Sequence, residues 1–142
     1  MIRLATKDDL HEISRLWVMM VNELKKEWTP DPEGWVNISK ELLGTGTHEI
    51  AISIEDNKIV GFLQGIVFYD PSISKKRSVG QYFFVLPEYR NTSVAESLYE
   101  EILVQSLKNG SDSLELFCLP DMEEYWNKRG FKKDQLLMRM VI

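Results

Sequence analysis

The first part of the chain shows the three- and four-residue spacing of an amphipathic helix. Apolar residues recur on one face between positions 10 and 24, and they are Leu10, Ile13, Leu16, Trp17, Met20, Val21 and Leu24. Thr6 is placed to cap this helix, and Asp8 and Asp9 favour the positive end of its dipole. The pattern predicts a short strand, Ile2 to Leu4, followed directly by a first helix.

A second helix and a hairpin are predicted next. The helix is expected to begin at Asp31 and Pro32 and to end before Gly44, with an inner side formed by Trp35, Ile38, Leu42 and Leu43. Residues 49–54 then alternate between apolar and polar, and a turn leads into a second apolar run at residues 59–68. This pattern is typical of an antiparallel β-hairpin.

The pattern then changes to strand, helix and strand. Residues 70–78, with the basic run Lys75 to Arg77, form a predicted loop before the strand Val79 to Val85. Residues Ser93 to Asn109 form an amphipathic helix, and Ser113 to Cys118 form the next strand. Because a helix connects these two strands, they are expected to be parallel, whereas the first four strands form an antiparallel meander.

The end of the chain is predicted to contain a short helix, Asp121 to Arg129, and a final strand or strand pair, Phe131 to Ile142. In that last segment Leu136, Met138, Met140 and Ile142 alternate with Leu137 and Val141. The segment is apolar on both faces, so it either completes the sheet or pairs with a second subunit in a homodimer. No repeat or Gly/Ser linker divides the chain, which predicts one α+β domain over residues 1–142 with a mixed sheet.

Composition narrows the classes of partner. The chain has 142 residues, of which 44% are hydrophobic, enough for one core without disulfides or metal. Its 17 basic and 22 acidic side chains give a net charge of -5, which disfavours binding to nucleic acid. A small nucleotide-like cofactor needs only a few donors for its phosphates, so it stays compatible with this charge.

Three further features exclude other classes of protein. Cys118 is the only cysteine, which excludes an intrachain disulfide and favours a reducing cytoplasm. The apolar run Leu16 to Val21 is too short to cross a membrane, so neither an anchor nor a signal peptide is predicted. His11 and His48 lie far apart and in no metal-ligand spacing, so no metal site is expected.

The clearest chemical signal lies in residues 83–95, a predicted strand whose end turns directly into a helix. Such a junction gathers unpaired amide hydrogens and the positive end of a helix dipole, which favours an anion. Arg90 adds a charge-assisted donor at the same place. The alternative is an ordinary strand-to-helix connection that is capped by Asn91, Thr92 or Ser93.

Several patterns, in this order, carry a resemblance to a known family. The chain opens with I-R-L-A-T-K-D-D-L, continues with K-I-V-G-F and V-L-P-E-Y-R-N-T-S-V-A, and later shows L-E-L and Y-W-N-K-R-G-F. Together they resemble the GNAT superfamily of acyl-CoA N-acyltransferases. The resemblance implies an α+β fold with a mixed, mostly antiparallel sheet whose central parallel strand pair splays around the cofactor, flanked by about four helices.

The resemblance also implies how acetyl-CoA is held. The family's signature loop, R/Q-x-x-G-x-G/A, binds the pyrophosphate through its amides and maps onto Arg90, Asn91, Thr92, Ser93, Val94 and Ala95. Backbone groups of the preceding strand, at Phe83, Phe84 and Val85, would pair with the pantetheine arm and polarise the thioester carbonyl. Asn91 and Ser93 stand where glycine is common, and their side chains either crowd the phosphate or add a donor.

Two residues are candidates for proton transfer. The family's motif tyrosine is replaced by Trp126, whose indole cannot act as an acid near neutral pH. Tyr125 replaces that donor only if the helix is shifted, since one helical residue turns it to another face; otherwise it is a core aromatic residue. Glu115 alternates with two core leucines, so it faces the cleft, either as the base for the amine or as a solvated strand residue.

Trp28 and Trp35 are expected to line the acceptor pocket, although Trp35 suits the core equally well. The resemblance therefore predicts an N-acetyltransferase that moves an acetyl group from acetyl-CoA to the primary amine of a small molecule or a protein N-terminus. The alternative is a GNAT-fold protein with weakened catalysis that binds acyl-CoA or a protein partner. The substituted glycines and the missing motif tyrosine favour this alternative.

Overall fold

A computed structural model shows an antiparallel meander that is extended by one parallel strand and covered by helices on both faces. The structure describes residues 1–25, 27–135, 137–140 and 142. The strands are β1 (Ile2–Leu4), β2 (His48–Glu55), β3 (Lys58–Asp70), β4 (Lys75–Val85) and β5 (Ser113–Leu116). The helices are α1 (Leu10–Leu24), α2 (Pro32–Leu42), α3 (Val94–Lys108) and α4 (Glu123–Asn127). Short 3-10 turns lie at Lys7–Asp9, Pro87–Tyr89 and Pro120–Met122.

The sheet has the strand order β1-β2-β3-β4-β5. The first three pairings are antiparallel, and β4 and β5 are parallel. The helix α3 makes the crossover between β4 and β5, which is the connection that a parallel pair requires. The predictions of an α+β fold, a four-stranded meander and one parallel pair are therefore confirmed.

Alternation along the strands creates two separate cores. On one side, here called the α1-α2 face, the first two helices pack on Ile50, Ile52, Phe62 and Phe84. On the other side, here called the α3 face, Leu98 and Ile102 pack on Ala51, Val60 and Leu63. Because neighbouring residues of a strand point to opposite faces, a single strand such as β2 contributes to both cores.

The entry into α1 is fixed by a reciprocal capping arrangement. The carboxylate of Asp9 accepts a hydrogen bond from the backbone N–H of Thr6 at 2.7 Å. The same carboxylate receives two bonds from the Arg3 guanidinium, at 2.7 and 2.8 Å. These contacts tie β1 to the start of α1, and the predicted apolar face of α1 is buried from Leu10 to Val21.

Two details of the predicted elements are wrong. Ile38 was expected on the inner side of α2 but is 60% exposed, because Val36 and Ser39 face the core instead. The basic run Lys75 to Arg77 lies in β4 rather than in a loop, since the ladder with β3 continues as far as the pair Asp70 and Lys75. Main-chain pairing along this hairpin outweighs the polar side-chain pattern.

The predicted final strand is absent from residues 131–135 and 137–140. Leu137, Met138 and Met140 are 67%, 88% and 81% exposed, so they do not form the expected core face. A strand requires an adjacent strand for its hydrogen bonds, and this part of the segment joins none. Leu136 and Val141 lie outside the described residues. The helix that was predicted over Asp121 to Arg129 is divided into the 3-10 turn Pro120–Met122 and α4.

Candidate active site

The parallel strands β4 and β5 separate at Gly80. Their pairing runs from Arg77 opposite Ser113 to Gly80 opposite Leu116, and the N–H of Phe117 makes a last bond to the Gly80 carbonyl at 3.4 Å. Strand β4 continues to Val85, so its last five residues meet no strand of the described chain on that side. The sheet therefore opens into a wedge beside the end of β4, called the cleft below.

A β-bulge at Gln81 determines which backbone groups face this cleft. Gly80 and Tyr82 pair with consecutive residues of β3, so Gln81 is the extra residue. The N–H of Leu86 bonds to the Val60 carbonyl on the β3 side at 2.9 Å. By alternation, Phe83 and Val85 direct their backbone groups into the cleft, whereas Phe84 directs its groups towards β3.

The loop from β4 to α3 offers a row of amide hydrogens. Asn91 has a φ of 63°, which turns the chain sharply before α3 begins. Among the hydrogen bonds of the described residues, the N–H groups of Asn91, Thr92, Ser93 and Ala95 have no acceptor, whereas the N–H of Val94 bonds to the Thr92 hydroxyl. Because the positive end of the α3 dipole points to the same place, this loop is suited to hold an anion.

Arg90 is held away from the amide row by three hydrogen bonds. Its Nε donates to the Val85 carbonyl at 2.9 Å, and its two Nη atoms donate to the Glu23 carboxylate at 2.9 and 2.8 Å. Its guanidinium also lies 5.2 Å from the Phe84 ring centroid, on the α1-α2 face. The Arg90 guanidinium lowers the pKa of Glu23, and hydrogen bonding to Glu23 raises the pKa of Arg90. Both groups are therefore charged at neutral pH.

Glu115 lies opposite Val79, one residue before the cleft opens. Its side chain is on the α1-α2 face, since the neighbouring Leu114 packs against the α3 core. The Glu115 carboxylate accepts hydrogen bonds from Arg77 Nε at 2.7 Å and from Arg77 Nη2. The third arm of that guanidinium reaches Asp70 at 2.6 Å. Glu115 is therefore part of an ionic triad, with one carboxylate oxygen turned to the arginine.

Tyr125 and Trp126 point to different surroundings. Trp126 is only 5% exposed and lies between Phe83 and Tyr99, with ring centroids 5.9 and 5.6 Å away. Tyr125 is half-buried, with Arg129 stacked 3.5 Å from its ring centroid. Burial raises the pKa of Tyr125, so its hydroxyl is protonated at neutral pH. Trp126 thus fills the position of the motif tyrosine as a packing residue.

The two tryptophans that were expected at the acceptor pocket have different partners. Trp35 stacks on Trp17 at 6.0 Å and joins the α1-α2 core. Trp28 follows the end of α1 and lies near two cations, Lys25 at 5.4 Å and Arg139 at 4.9 Å from its ring centroid. Both tryptophans are half-buried against the α1-α2 core, and Trp28 is the one with cations beside its ring.

Sequence reasoning missed the partners of Glu23, Arg77 and Arg139. Each of the three contacts a residue at least 38 positions away along the chain. Their spacing contains no local signal, because helix and strand periodicity report only neighbours on the same element. Only the arrangement of α1, β4 and the end of the chain brings these charges to the candidate residues.

A model of the acetyltransferase (GNAT) family matches residues 14–131 of this sequence. The chain belongs to the GNAT acetyltransferase family. An uncharacterised N-acetyltransferase of Archaeoglobus fulgidus is 29% identical over 118 residues, which cover 82% of this chain and 80% of that relative. The resemblance that the sequence patterns carried is thereby confirmed.

Two solved structures show how far this GNAT fold is shared. A transcriptional regulator from Bacillus halodurans C-125 aligns with a TM-score of 0.85 at 19% identity. The alignment covers 100% of this chain and 99% of the regulator's chain. The ribosomal-protein-alanine N-acetyltransferase of Brucella melitensis biovar Abortus 2308 aligns with a TM-score of 0.78 at 16% identity, with coverage of 100% and 99%. At these identities the likeness concerns the fold.

Two further properties of this GNAT chain concern metals and membranes. Within residues 1–25, 27–135, 137–140 and 142, no group of three or more His, Cys, Asp or Glu side chains is arranged to hold a metal ion. No helix in the same part of the chain has the length and apolar character needed to span a bilayer.

Proposed function

We propose that this GNAT protein is an N-acetyltransferase that transfers an acetyl group from acetyl-CoA to a primary amine of a small molecule or a protein N-terminus. The observation that carries this proposal is the free edge of β4 beside the cleft, which leads directly into the unbonded amides at the start of α3. An extended arm with a terminal pyrophosphate matches this combination of a strand edge and an anion site.

In this proposal two segments hold acetyl-CoA. The amides of residues 91–95 receive the pyrophosphate, and the cleft-facing backbone of Phe83 and Val85 pairs with the pantetheine arm, with Phe84 between them fixed in the core. The Val85 carbonyl is occupied by Arg90, whose Nη atoms are bound to Glu23. Arg90 is proposed to contribute to phosphate binding after its Nη atoms leave the Glu23 carboxylate and turn to the phosphate.

The chemistry requires one bond to form and one to break. The amine nitrogen bonds to the acetyl carbon, the carbon–sulfur bond breaks, and the proton that leaves nitrogen balances the charge of the thiolate. Glu115 is proposed as the base, because its carboxylate lies where the cleft begins. Tyr125 is proposed as the donor to the thiolate, because its hydroxyl stays protonated. Alignment of the two reactants supplies much of the remaining rate enhancement.

The acceptor is proposed to enter on the α1-α2 face, past Trp28 and near Trp35. Both tryptophans lie on the side of β4 that carries the Arg90 guanidinium. The cytoplasmic location, the single domain over residues 1–142 and the homodimer remain predictions from the sequence.

A second candidate is a GNAT protein with weakened catalysis that binds acyl-CoA or a protein partner. Two observations favour it. Trp126 is buried at the position of the motif tyrosine, and the Arg77 guanidinium already engages the Glu115 carboxylate. Both residues then serve packing and strand pairing instead of proton transfer.

Titration calorimetry with acetyl-CoA and, separately, with free CoA tests the cofactor site. Micromolar binding is expected for the wild type, and Arg90→Ala is expected to weaken it about tenfold through loss of a charge-assisted contact. Arg15→Ala is a matched control, because Arg15 is exposed on α1 and forms no ion pair in the described chain. Unchanged affinity in Arg90→Ala would remove Arg90 from the site. Absence of binding in the wild type would favour a protein-interaction role.

Turnover of a panel of primary amines, followed by thiol release, distinguishes the two candidate functions. Glu115→Gln and Tyr125→Phe are each expected to lower kcat by roughly 100-fold while the Kd for acetyl-CoA changes less than about twofold. Equal losses of turnover and affinity would assign Glu115 to structure. Wild-type protein that binds acetyl-CoA and acetylates no amine would support the weakened-catalysis candidate.

A further inference from the structure

The end of α1 carries an unusual local charge in an acidic protein. Lys25 directly follows α1, and Arg139 approaches from the far end of the chain, so that both cations lie within about 6 Å of the Trp28 ring. The whole chain has a net charge of -5, yet here two positive groups share one indole. Two cations beside one indole give this surface a positive charge that attracts an anion.

Neither cation forms a salt bridge within the described chain. Arg3, Arg77, Arg90 and Arg129 each form a salt bridge with an acidic side chain. Among the salt bridges of the described residues, none includes Lys25 or Arg139. Their contacts with the indole leave the ammonium and guanidinium hydrogens available to an oxygen ligand.

The position of this pair relates it to the acceptor side of the cleft. Glu23, two residues before Lys25, contacts Arg90 and through it the Val85 carbonyl at the open edge of β4. Trp28 packs against the α1-α2 core, which also includes Tyr82 and Leu86 at that end of β4. The cations therefore lie on the α1-α2 face of the sheet. The proposed pyrophosphate site lies at the start of α3, on the other face.

We infer that Lys25, Trp28 and Arg139 bind the anionic group of the acceptor, so that the substrate is a small amine carrying a carboxylate or a phosphate. This inference rests on the proposed function. The two cations attract the anionic oxygens, and the indole covers the apolar part of the same molecule. An amine without an anionic group meets only like charge at this place. The reacting nitrogen points away from the cations, towards the cleft.

The binding experiment uses matched amines that differ only in the anionic group. Glucosamine 6-phosphate is compared with glucosamine for phosphate, and phenylalanine with phenylalaninamide for carboxylate, by titration calorimetry in the presence of CoA. The expected result is that the anionic member of at least one pair binds at least about tenfold more tightly. The pair that shows the difference identifies whether the site prefers a phosphate or a carboxylate.

Three variants connect this preference to the residues. The double variant Lys25→Ala, Arg139→Ala is expected to reduce the preference to less than about twofold, while the Kd for acetyl-CoA stays within about twofold of the wild type. Arg15→Ala removes one positive charge elsewhere on α1 and is expected to keep the preference. Lys25→Arg keeps the positive charge and is also expected to keep the preference for the anionic amine.

Three results would overturn the inference: equal affinity within both pairs, no binding of any of the four amines, or a preference that survives in the double variant. Failure of the proposed function is read separately. In that case the wild type does not bind acetyl-CoA, and this measurement does not involve the four amines.

Discussion

Replacing Asp9 by asparagine tests how strongly the start of α1 is held. In the folded protein Asp9 accepts from the Thr6 N–H and from both Nη atoms of Arg3, and its side chain is only 14% exposed. Hydrogen bonding to Arg3 is the largest cause that lowers the pKa of Asp9, from 3.8 to about 2. Because the Arg3 side chain is 38% exposed and solvent screens the pair, the difference corresponds to about 1–2 kcal/mol of folding free energy, which Asp9→Asn is expected to lose at pH 7.

The pH dependence gives this prediction a sign. Because the folded pKa lies below the unfolded value, the stabilisation is fully present above about pH 5 and is lost as the pH falls towards about 2. Urea unfolding followed by tryptophan fluorescence at pH 7, 5, 4 and 3 measures the difference between wild type and variant. The difference is expected to shrink steadily below pH 5.

Asp8→Asn is the matched control. Asp8 is the neighbouring exposed carboxylate at the same helix end, and the structure gives it no partner among the described residues. Its effect is expected to stay within about 0.5 kcal/mol at every pH. A difference for Asp9→Asn that is below about 0.5 kcal/mol at pH 7, or that does not vary with pH, would refute the assigned role of the Arg3 pair.

Three further predictions concern other sites. Glu49→Gln is expected to raise the free energy of unfolding at pH 7 by a few tenths of a kcal/mol, because burial, and secondarily Glu101, raises the pKa of Glu49; urea titration should show the gain vanishing below about pH 4.5. Asn91→Ala is expected to cost about 1 kcal/mol in thermal unfolding while Asn91→Gly costs less, since φ is 63° there. Trp126→Ala is expected to cost about 3–5 kcal/mol in urea unfolding, and Trp126→Phe less, if the aromatic cluster has the packing role described.

Most elements were predictable from local patterns. The amphipathic spacing in α1 and α3, the alternation in β2, and the cap at Asp31 are written in short stretches of sequence, whereas Thr6 stands before a 3-10 turn and Asp9 begins α1. The direction of β5 followed from the helix that precedes it. The predictions failed where a neighbour was required: at the start of β4, where pairing with β3 decides, and after residue 131, where no adjacent strand is present for the described residues.

The candidate site divides in the same way. The strand end and the amide row at residues 91–95 were expected from the sequence, because the family patterns lie in this one stretch. The partners of the charged residues were not. Glu23 on Arg90 and Arg77 on Glu115 join segments that lie 67 and 38 residues apart. No periodicity links residues at such separations.

The sequence by itself determined the strands of the meander apart from the start of β4, and it determined the crossover helix and the family of the protein. The reason is that apolar periodicity, capping residues and short motifs act over a few residues, where chain geometry is fixed by the backbone. The tertiary structure alone decided where β4 leaves β5 and which cation meets which carboxylate. It also decided that Lys25 and Arg139 meet at Trp28. These contacts depend on how whole elements pack, which no short stretch of the chain encodes.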